Sequence, residues 1–222
     1  MDEIAESSSR VVSSGWYEWG KPIFDRIVAL LALIVLSPVL LAIALAVRLD
    51  SPGPIIYRQK RVGQGGRVFT MYKFRTMVDG AEDTPHRAAF ERFFRARSLD
   101  ETGARTFKLE GDPRVTRVGR LLRATSLDEL PQLLNVLGGT MSLVGPRPPI
   151  PYETELYEPR HWRRLAVRPG ITGAWQARAR SQVPFEDMVA MDLDYIARRS
   201  FLLDLKILLL TVGVVLTRKG AG

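Results

Sequence analysis

Residues 27–47 read IVALLALIVLSPVLLAIALAV, twenty-one positions without a charge. A helix of about 20 apolar residues crosses the hydrocarbon core of a bilayer. The segment therefore enters a membrane, acts as a secretion signal, or forms a deeply buried helix. Its ALA at 44–46 has the small-residue pattern of a signal cleavage site. Against export, the stretch from Arg48 to Arg75 carries seven basic residues and one acidic, an excess that resists translocation. Ser37-Pro38 interrupts the run. Proline removes one helical hydrogen bond and its ring collides with the carbonyl four residues back, here that of Ile34. In an apolar setting the freed carbonyl needs a donor, which a serine hydroxyl supplies. Two geometries satisfy these residues: a kinked spanning helix, or one that bends hard and returns to the face it entered. The first twenty residues hold four acids and one base, and that charge pattern leans toward spanning.

The length of 222 residues suits one sizeable domain, or a domain plus an anchor. A net charge of +8 favours polyanions: nucleic acid, acidic membrane surface or phosphorylated small molecules. Having no cysteine excludes disulfides, thiolate zinc sites and a cysteine nucleophile. Two histidines, His86 and His161, exclude a histidine-rich metal site.

After the apolar run come PIIYRQKRV and RVFTMYKFRTM, separated by GQGG. Both are rich in β-branched and aromatic residues, and the glycines suit a hairpin turn. Alternation puts Val68, Tyr72 and Phe74 on one face, Lys73 and Arg75 on the other. HRAAFERFFRAR at 86–97 reads as an amphipathic helix with Phe90, Phe93 and Phe94 on one face. It either packs on a domain or lies on a membrane surface. The end of the chain, FLLDLKILLLTVGVVLTRKG, is apolar but interrupted by Asp204 and Lys206. It is too short to span after that break, and reads as an interfacial or a buried helix.

SLDELPQLLNVLGG begins at Ser126 with two adjacent acids, Asp128 and Glu129. Ser126 and Glu129 have the spacing of a capping box, and Leu127, Leu130, Leu133, Leu134 and Leu137 would then form one apolar face. Other signs favour chemistry. Pro131 disturbs the first turns. Upstream, Arg114, Arg117, Arg120 and Arg123 recur every three residues. Downstream, Arg147 stands between prolines that fix its direction, and a guanidinium grips phosphate with two donors. A carboxylate among such groups can attack phosphorus once arginines and a cation neutralise the repulsion.

KPIFDRIVALLALIVLSPVLL, YKFRTM, DPRVTRVGRLLRATSLDELPQLLNVLGGTMSLVGPRP, VRPGITGAWQ and DLKILLLTV together resemble the bacterial polyprenyl-phosphate sugar-phosphate transferases, the monotopic phosphoglycosyl transferases, from about Lys21 to the C-terminus. The resemblance implies transfer of a sugar-1-phosphate from a UDP-sugar to undecaprenyl phosphate with release of UMP. That reaction opens the assembly of exopolysaccharide, O-antigen or glycoprotein glycans. It further implies that Asp128 is the nucleophile, that Glu129 assists, and that Mg²⁺ binds at Asp128 and Glu129. Lys73, Arg75, Arg123 and Arg147 are implied to bind substrate phosphate. Ser37 and Pro38 are implied to turn the apolar helix back on itself, which overrides the lean toward spanning and leaves both ends at the cytoplasmic face of the inner membrane. Larger relatives carry further spanning helices and another domain, so this chain resembles the small, single-module form. Residues 79–107 match no motif, and ARARSQVPFEDM follows GAWQ where the pattern has a glycine-containing turn. The sugar is therefore not named; UDP-galactose, UDP-glucose and N-acetylated donors all fit.

The expected fold class is α/β, mostly helical with a small β-hairpin. A flexible tail covers 1–20 and a re-entrant membrane helix covers 21–50, broken at Ser37-Pro38. A compact cytosolic catalytic domain with interfacial amphipathic helices covers 51–200, and a C-terminal interfacial helix covers 201–222. The expected partners are the UDP-sugar, undecaprenyl phosphate and the phospholipid bilayer, with a homodimer left open. Nucleic acid is not among them, because aromatic residues are not interleaved with the basic ones as a stacking surface requires. The other rival is a non-catalytic membrane scaffold, and the acidic pair separates it from an enzyme.

Overall fold

A computed structural model describes residues 15–81, 84–95, 112–178 and 183–217 of the chain. The apolar run is two helices, α1 (Gly15–Val35) and α2 (Ser37–Asp50), bent by 65° at Leu36. The Ser37 hydroxyl donates to the Ile34 carbonyl at 2.8 Å, so the acceptor displaced by Pro38 is satisfied locally. Pro38 falls in the first turn of α2, where its fixed φ suits a helix start. The first helix begins at Gly15, upstream of the expected boundary at residue 21; only residues 1–14 of the expected tail lie outside the described residues. Among the described residues no single helix is long and apolar enough to cross a membrane, but the bent pair together has the length and composition.

Next comes an antiparallel hairpin of β1 (Ile56–Val62) and β2 (Val68–Phe74), with Ile56 opposite Phe74 and Val62 opposite Val68. Its connection uses Gly65 and Gly66 at φ 65° and 77°, a region open to glycine without steric cost. The chain continues through α3 (Thr84–Arg95), α4 (Arg117–Thr125), a 3₁₀ turn over Leu127–Gln132, α5 (Leu133–Leu137), β3 (Ser142–Val144), α6 (Pro151–Thr154), α7 (Pro159–Trp162), β4 (Gly170–Thr172), α8 (Ala174–Arg178), α9 (Phe185–Arg198) and α10 (Phe201–Thr217). Strands β3 and β4 pair in parallel. This second sheet was not expected from the sequence; strands of three residues carry no readable alternation.

The main core joins α1, β2, α5, β3, α8, α9 and α10 through Ala29, Met71, Leu133, Val136, Val144, Ala177, Ile196 and Ile207. A second cluster packs Phe90 and Phe93 of α3 on Trp175, Phe185, Met188 and Val189. These two phenylalanines are only 4% and 3% exposed. Of the two readings of α3, packing on the domain is the one the structure supports, since Phe90 and Phe93 are spent on this cluster. A third cluster ties α2 to β2 and α4 through Ile43, Val47, Phe74 and Leu122. Helix α10 answers the open question at the end of the chain with two faces. Asp204 and Ile207 are buried, while Leu202, Leu205, Leu209 and Val212 are exposed.

Buried polar groups anchor the apolar helices. Lys21 of α1 lies between Asp25 at 3.2 Å and Asp204 at 2.8 Å. Asp204 also accepts from the hydroxyls of Tyr17 and Tyr195, and Asp25 accepts from Ser142 at 2.6 Å. One network thus joins α1, α9, α10 and β3. Removing one member of a buried ion pair strands its partner at a cost of roughly 3–5 kcal/mol. Asp204→Ala is expected to lower the unfolding free energy by about that amount in chemical denaturation, whereas Leu202→Ala on the exposed face of the same helix leaves it nearly unchanged.

Candidate active site

The acidic pair is carried by a sharp reversal. Helix α4 starts at Thr116, whose hydroxyl accepts from Gly119 N–H at 3.0 Å. Gly119 packs so closely on Thr76 that an added Cβ would sit 2.1 Å from its carbonyl oxygen. The helix ends at Ser126 in the left-handed region (φ 56°, ψ 17°), the one non-glycine residue with positive φ among the described residues. Such a conformation is uncommon for a residue with a Cβ and persists where its surroundings enforce it. Ser126 makes no side-chain cap, so the expected capping box does not form. The leucine face changes with it. A 3₁₀ turn advances about 120° per residue against 100° in an α-helix, and Leu134 consequently faces outward.

Freed from capping, Glu129 accepts from Lys73 Nζ at 2.7 Å. Asp128 is 9% exposed. Burial pushes its carboxyl up to about 6; the Lys73 charge opposes this, Glu129 adds to it, and Arg123 opposes it again. Arg123 donates Nε–H to the Thr76 hydroxyl at 2.9 Å. The structure therefore brings Asp128, Glu129, Lys73 and Arg123 together at one end of β2.

Arg75 is placed elsewhere. Its guanidinium donates to the carbonyls of Pro52, Ser51 and Val47, at the C-terminal end of α2. It is buried there and neutralises the negative end of that helix. Arg75, expected at the substrate phosphate, thus turns its Nη1 and Nη2 donors to backbone carbonyls at the end of α2.

Arg147 follows β3 in a braced corner. Gly145 N–H donates to Thr172, Gly170 N–H to Pro146, and Val62 N–H to Pro149. Arg61 of β1 donates to the Pro148 carbonyl at 2.9 Å. The Arg147 charge acts on Arg61 and His86, and Arg123 acts on His86 as well.

Sequence reasoning missed Asn135. Its side-chain amide donates to Thr70 C=O at 2.7 Å and accepts from Tyr72 N–H at 3.1 Å, pinning α5 to β2. A polar residue inside the run LLNVL was the available signal. No group of three or more metal-binding side chains occurs among the described residues. The Asp128–Glu129 pair fits a Mg²⁺ ion, which binds proteins through one or two carboxylates and completes its shell with water and substrate phosphates.

Known proteins of similar sequence carry informative names. An exopolysaccharide production protein of Sinorhizobium fredii is 42% identical over 199 residues, covering 89% of this chain and 86% of that protein. A protein of Caulobacter vibrioides named UDP-glucose:undecaprenyl-phosphate glucose-1-phosphate transferase is 43% identical over 209 residues, 90% of this chain and 71% of that one. The undecaprenyl-phosphate galactose phosphotransferase of Salmonella typhimurium is 40% identical over 222 residues, all of this chain but 44% of its own length. The sequence model of the bacterial sugar transferase family matches residues 16–218, a span that takes in the bent helix pair, the acidic reversal and the Pro-Arg-Pro corner. On that match the chain belongs to the bacterial sugar transferase family.

Proposed function

We propose that this protein moves a sugar-1-phosphate from a UDP-sugar to undecaprenyl phosphate, releases UMP, and forms a transient phosphosugar ester of Asp128. It is a transferase of substituted phosphate groups, in the class of undecaprenyl-phosphate sugar-phosphate transferases that serve exopolysaccharide synthesis. The observation that carries the reading is the buried Asp128 carboxyl held beside Lys73, Glu129 and Arg123.

In this mechanism an Asp128 oxygen attacks the phosphorus that bears the sugar. The bond to the bridging oxygen breaks, and UMP leaves with that oxygen and the electron pair. A phosphate oxygen of undecaprenyl phosphate then attacks the same phosphorus and expels the carboxylate. Neither displacement consumes a proton, so the protein's task is to hold the reactants and compensate charge. Lys73 and Arg123 supply positive charge from β2 and α4, and Arg147 extends it toward the leaving phosphate. Mg²⁺, held by Asp128, Glu129 and phosphate oxygens, would add further neutralisation.

The lipid acceptor places the enzyme on a membrane. The exposed apolar side chains of α1, α2 and α10 form more apolar surface than a soluble monomer ordinarily shows. Trp16 and Trp19, exposed at the start of α1, suit the aromatic belt of a bilayer interface. In our reading the α1–α2 pair is re-entrant, with both ends at the cytoplasmic face of the bacterial inner membrane.

The direct test is UMP release from a panel of UDP-sugars with undecaprenyl phosphate and Mg²⁺ in detergent. Asp128→Asn is expected to lower turnover on the order of 10⁴-fold or more with its circular dichroism unchanged. Labelled donor without lipid should add mass to the peptide bearing Asp128, and a persistent lack of that adduct while lipid-dependent transfer proceeds would refute the covalent step.

The raised carboxyl sets a pH dependence. Asp128 attacks as the anion, so activity is expected to rise through an acid limb near pH 6 and to fall about tenfold per pH unit below it. Lys73 holds that value down; Lys73→Met should move the limb to higher pH, as read in kcat/KM profiles.

Topology is testable because the chain has no cysteine. Single Gly15→Cys and Ser51→Cys variants should both label from the cytoplasm only. Labelling of the two from opposite sides would establish a spanning helix instead.

A further inference from the structure

The arginine repeat ahead of the acidic pair is only half absorbed by the site. Arg114 pairs with Asp112 at 2.6 Å. Arg123 donates to the Thr76 hydroxyl, and its charge acts on Asp128. Arg117 and Arg120, between them on α4, are exposed, and the mechanism above gives them no task.

An α-helix advances about 100° per residue, which sets the order of side chains around α4. Val118 and Leu122 face the cluster shared with α2. Next around the helix comes exposed Leu121, then Arg117, then Arg120, and last Arg123 against Thr76. The outer face of α4 therefore grades from apolar, beside α2, to cationic, beside the turn that carries Asp128. The helix is fixed in that orientation. Asp50, the last residue of α2, accepts from Val118 N–H at 2.9 Å, and Gly119 lies directly against Thr76.

Helix α2 continues the apolar edge. Leu41, Leu45 and Leu49 are exposed, and their spacing of four residues makes them one stripe, on the side away from buried Ile43 and Val47. The stripe ends one residue before Asp50, where α4 is joined on. The acids here are engaged: Asp50 by Val118 N–H, the Thr116 hydroxyl and the Arg117 charge, and Asp112 by Arg114.

We propose that this face of α4 is the docking surface of the lipid acceptor. Arg117 and Arg120 hold the phosphate of a polyprenyl phosphate, Leu121 and the leucine stripe of α2 lie along the first part of its chain, and the phosphate passes from there to Arg123 and Asp128. This rests on the function proposed above and adds to it the place where the second substrate binds. The surface matches that molecule in two respects at once. A guanidinium grips phosphate oxygens with two donors, and a hydrocarbon chain gains from contact with exposed leucines. The UDP-sugar is polar throughout and has no use for an apolar edge. A bulk anionic phospholipid matches the charge, but a ladder of arginines that ends at Asp128 serves a phosphate that reacts there.

The two displacements can be read separately. Full-length protein in nanodiscs of zwitterionic phosphatidylcholine is assayed with undecaprenyl phosphate and the UDP-sugar it turns over, UDP-glucose or UDP-galactose. Arg117→Gln/Arg120→Gln should lower kcat/KM for undecaprenyl phosphate by about tenfold or more. The kcat/KM for the UDP-sugar, and the phosphosugar adduct formed without lipid, should stay as in wild type, which also shows that the variant is folded. Arg117→Lys/Arg120→Lys keeps the charge and should recover part of the loss. An unchanged kcat/KM for the acceptor overturns the docking surface. So does an equal loss on the UDP-sugar side, which assigns the two arginines to the donor or to the fold. A defect that appears only when phosphatidylglycerol is mixed into the nanodiscs overturns it as well, because the face then meets the bulk bilayer. Absence of UMP release by wild type with every UDP-sugar would instead defeat the functional reading on which it stands.

Discussion

A proline at position 38 denies the Ile34 carbonyl its helical donor, and the architecture follows from how that loss is absorbed. Ser37 supplies the replacement bond, so the chain bends by 65° without leaving a polar group unpaired in an apolar segment. The bend separates two surfaces. Helix α1 presents Ala29 to the main core, and α2 presents Ile43 and Val47 to β2 and α4. A straight helix of this length could not pack on both. The α1–α2 pair is thereby a structural wall of the domain as well as an apolar surface.

The wall and the acidic reversal share one strand. Within the four residues after Tyr72, Lys73 pairs with Glu129, Arg75 closes the end of α2, and Thr76 accepts from Arg123. Successive side chains on a strand point to opposite faces, so Lys73 and Phe74 part company: one meets the acids, the other the hydrophobic cluster beneath α2. Displacement of the hairpin would be transmitted to the cations that set the charge state of Asp128. This couples the apolar helix pair physically to the acidic site.

Ser126 and Asp128 show the same economy. The left-handed residue at the end of α4 turns the chain so that an acid enters a buried, cationic setting instead of capping a helix. Burial of a carboxyl raises its proton affinity, and Lys73 and Arg123 limit the rise. The balance keeps the group ionised at neutral pH while leaving it weakly solvated, as the nucleophilic role proposed for it would require.

Much of this was legible in the sequence. The uncharged run, its Ser-Pro break, the hairpin with its glycine turn and the paired acids between arginine-rich elements all stood in local patterns. Even the Ser37–Ile34 bond followed from residue chemistry, since proline's effect reaches a fixed four residues back. Other side chains find partners that local pattern does not name, for a common reason. Arg75 looked like Lys73's equal in alternation but is drawn to carbonyls of Val47, Ser51 and Pro52. Ser126 had capping-box spacing but a left-handed backbone. The phenylalanines of α3 had an interfacial pattern but meet Trp175 and Phe185. Asn135 carried no motif at all. Periodicity, charge and residue type act over a few positions, so the sequence by itself determined the elements, the bend and the chemical inventory. Which partner each charged side chain finds depends on segments such as Lys73 and Glu129, separated by 56 positions; only the tertiary structure, by bringing them within hydrogen-bond distance and excluding water, decided which cations serve the acids and which serve the fold.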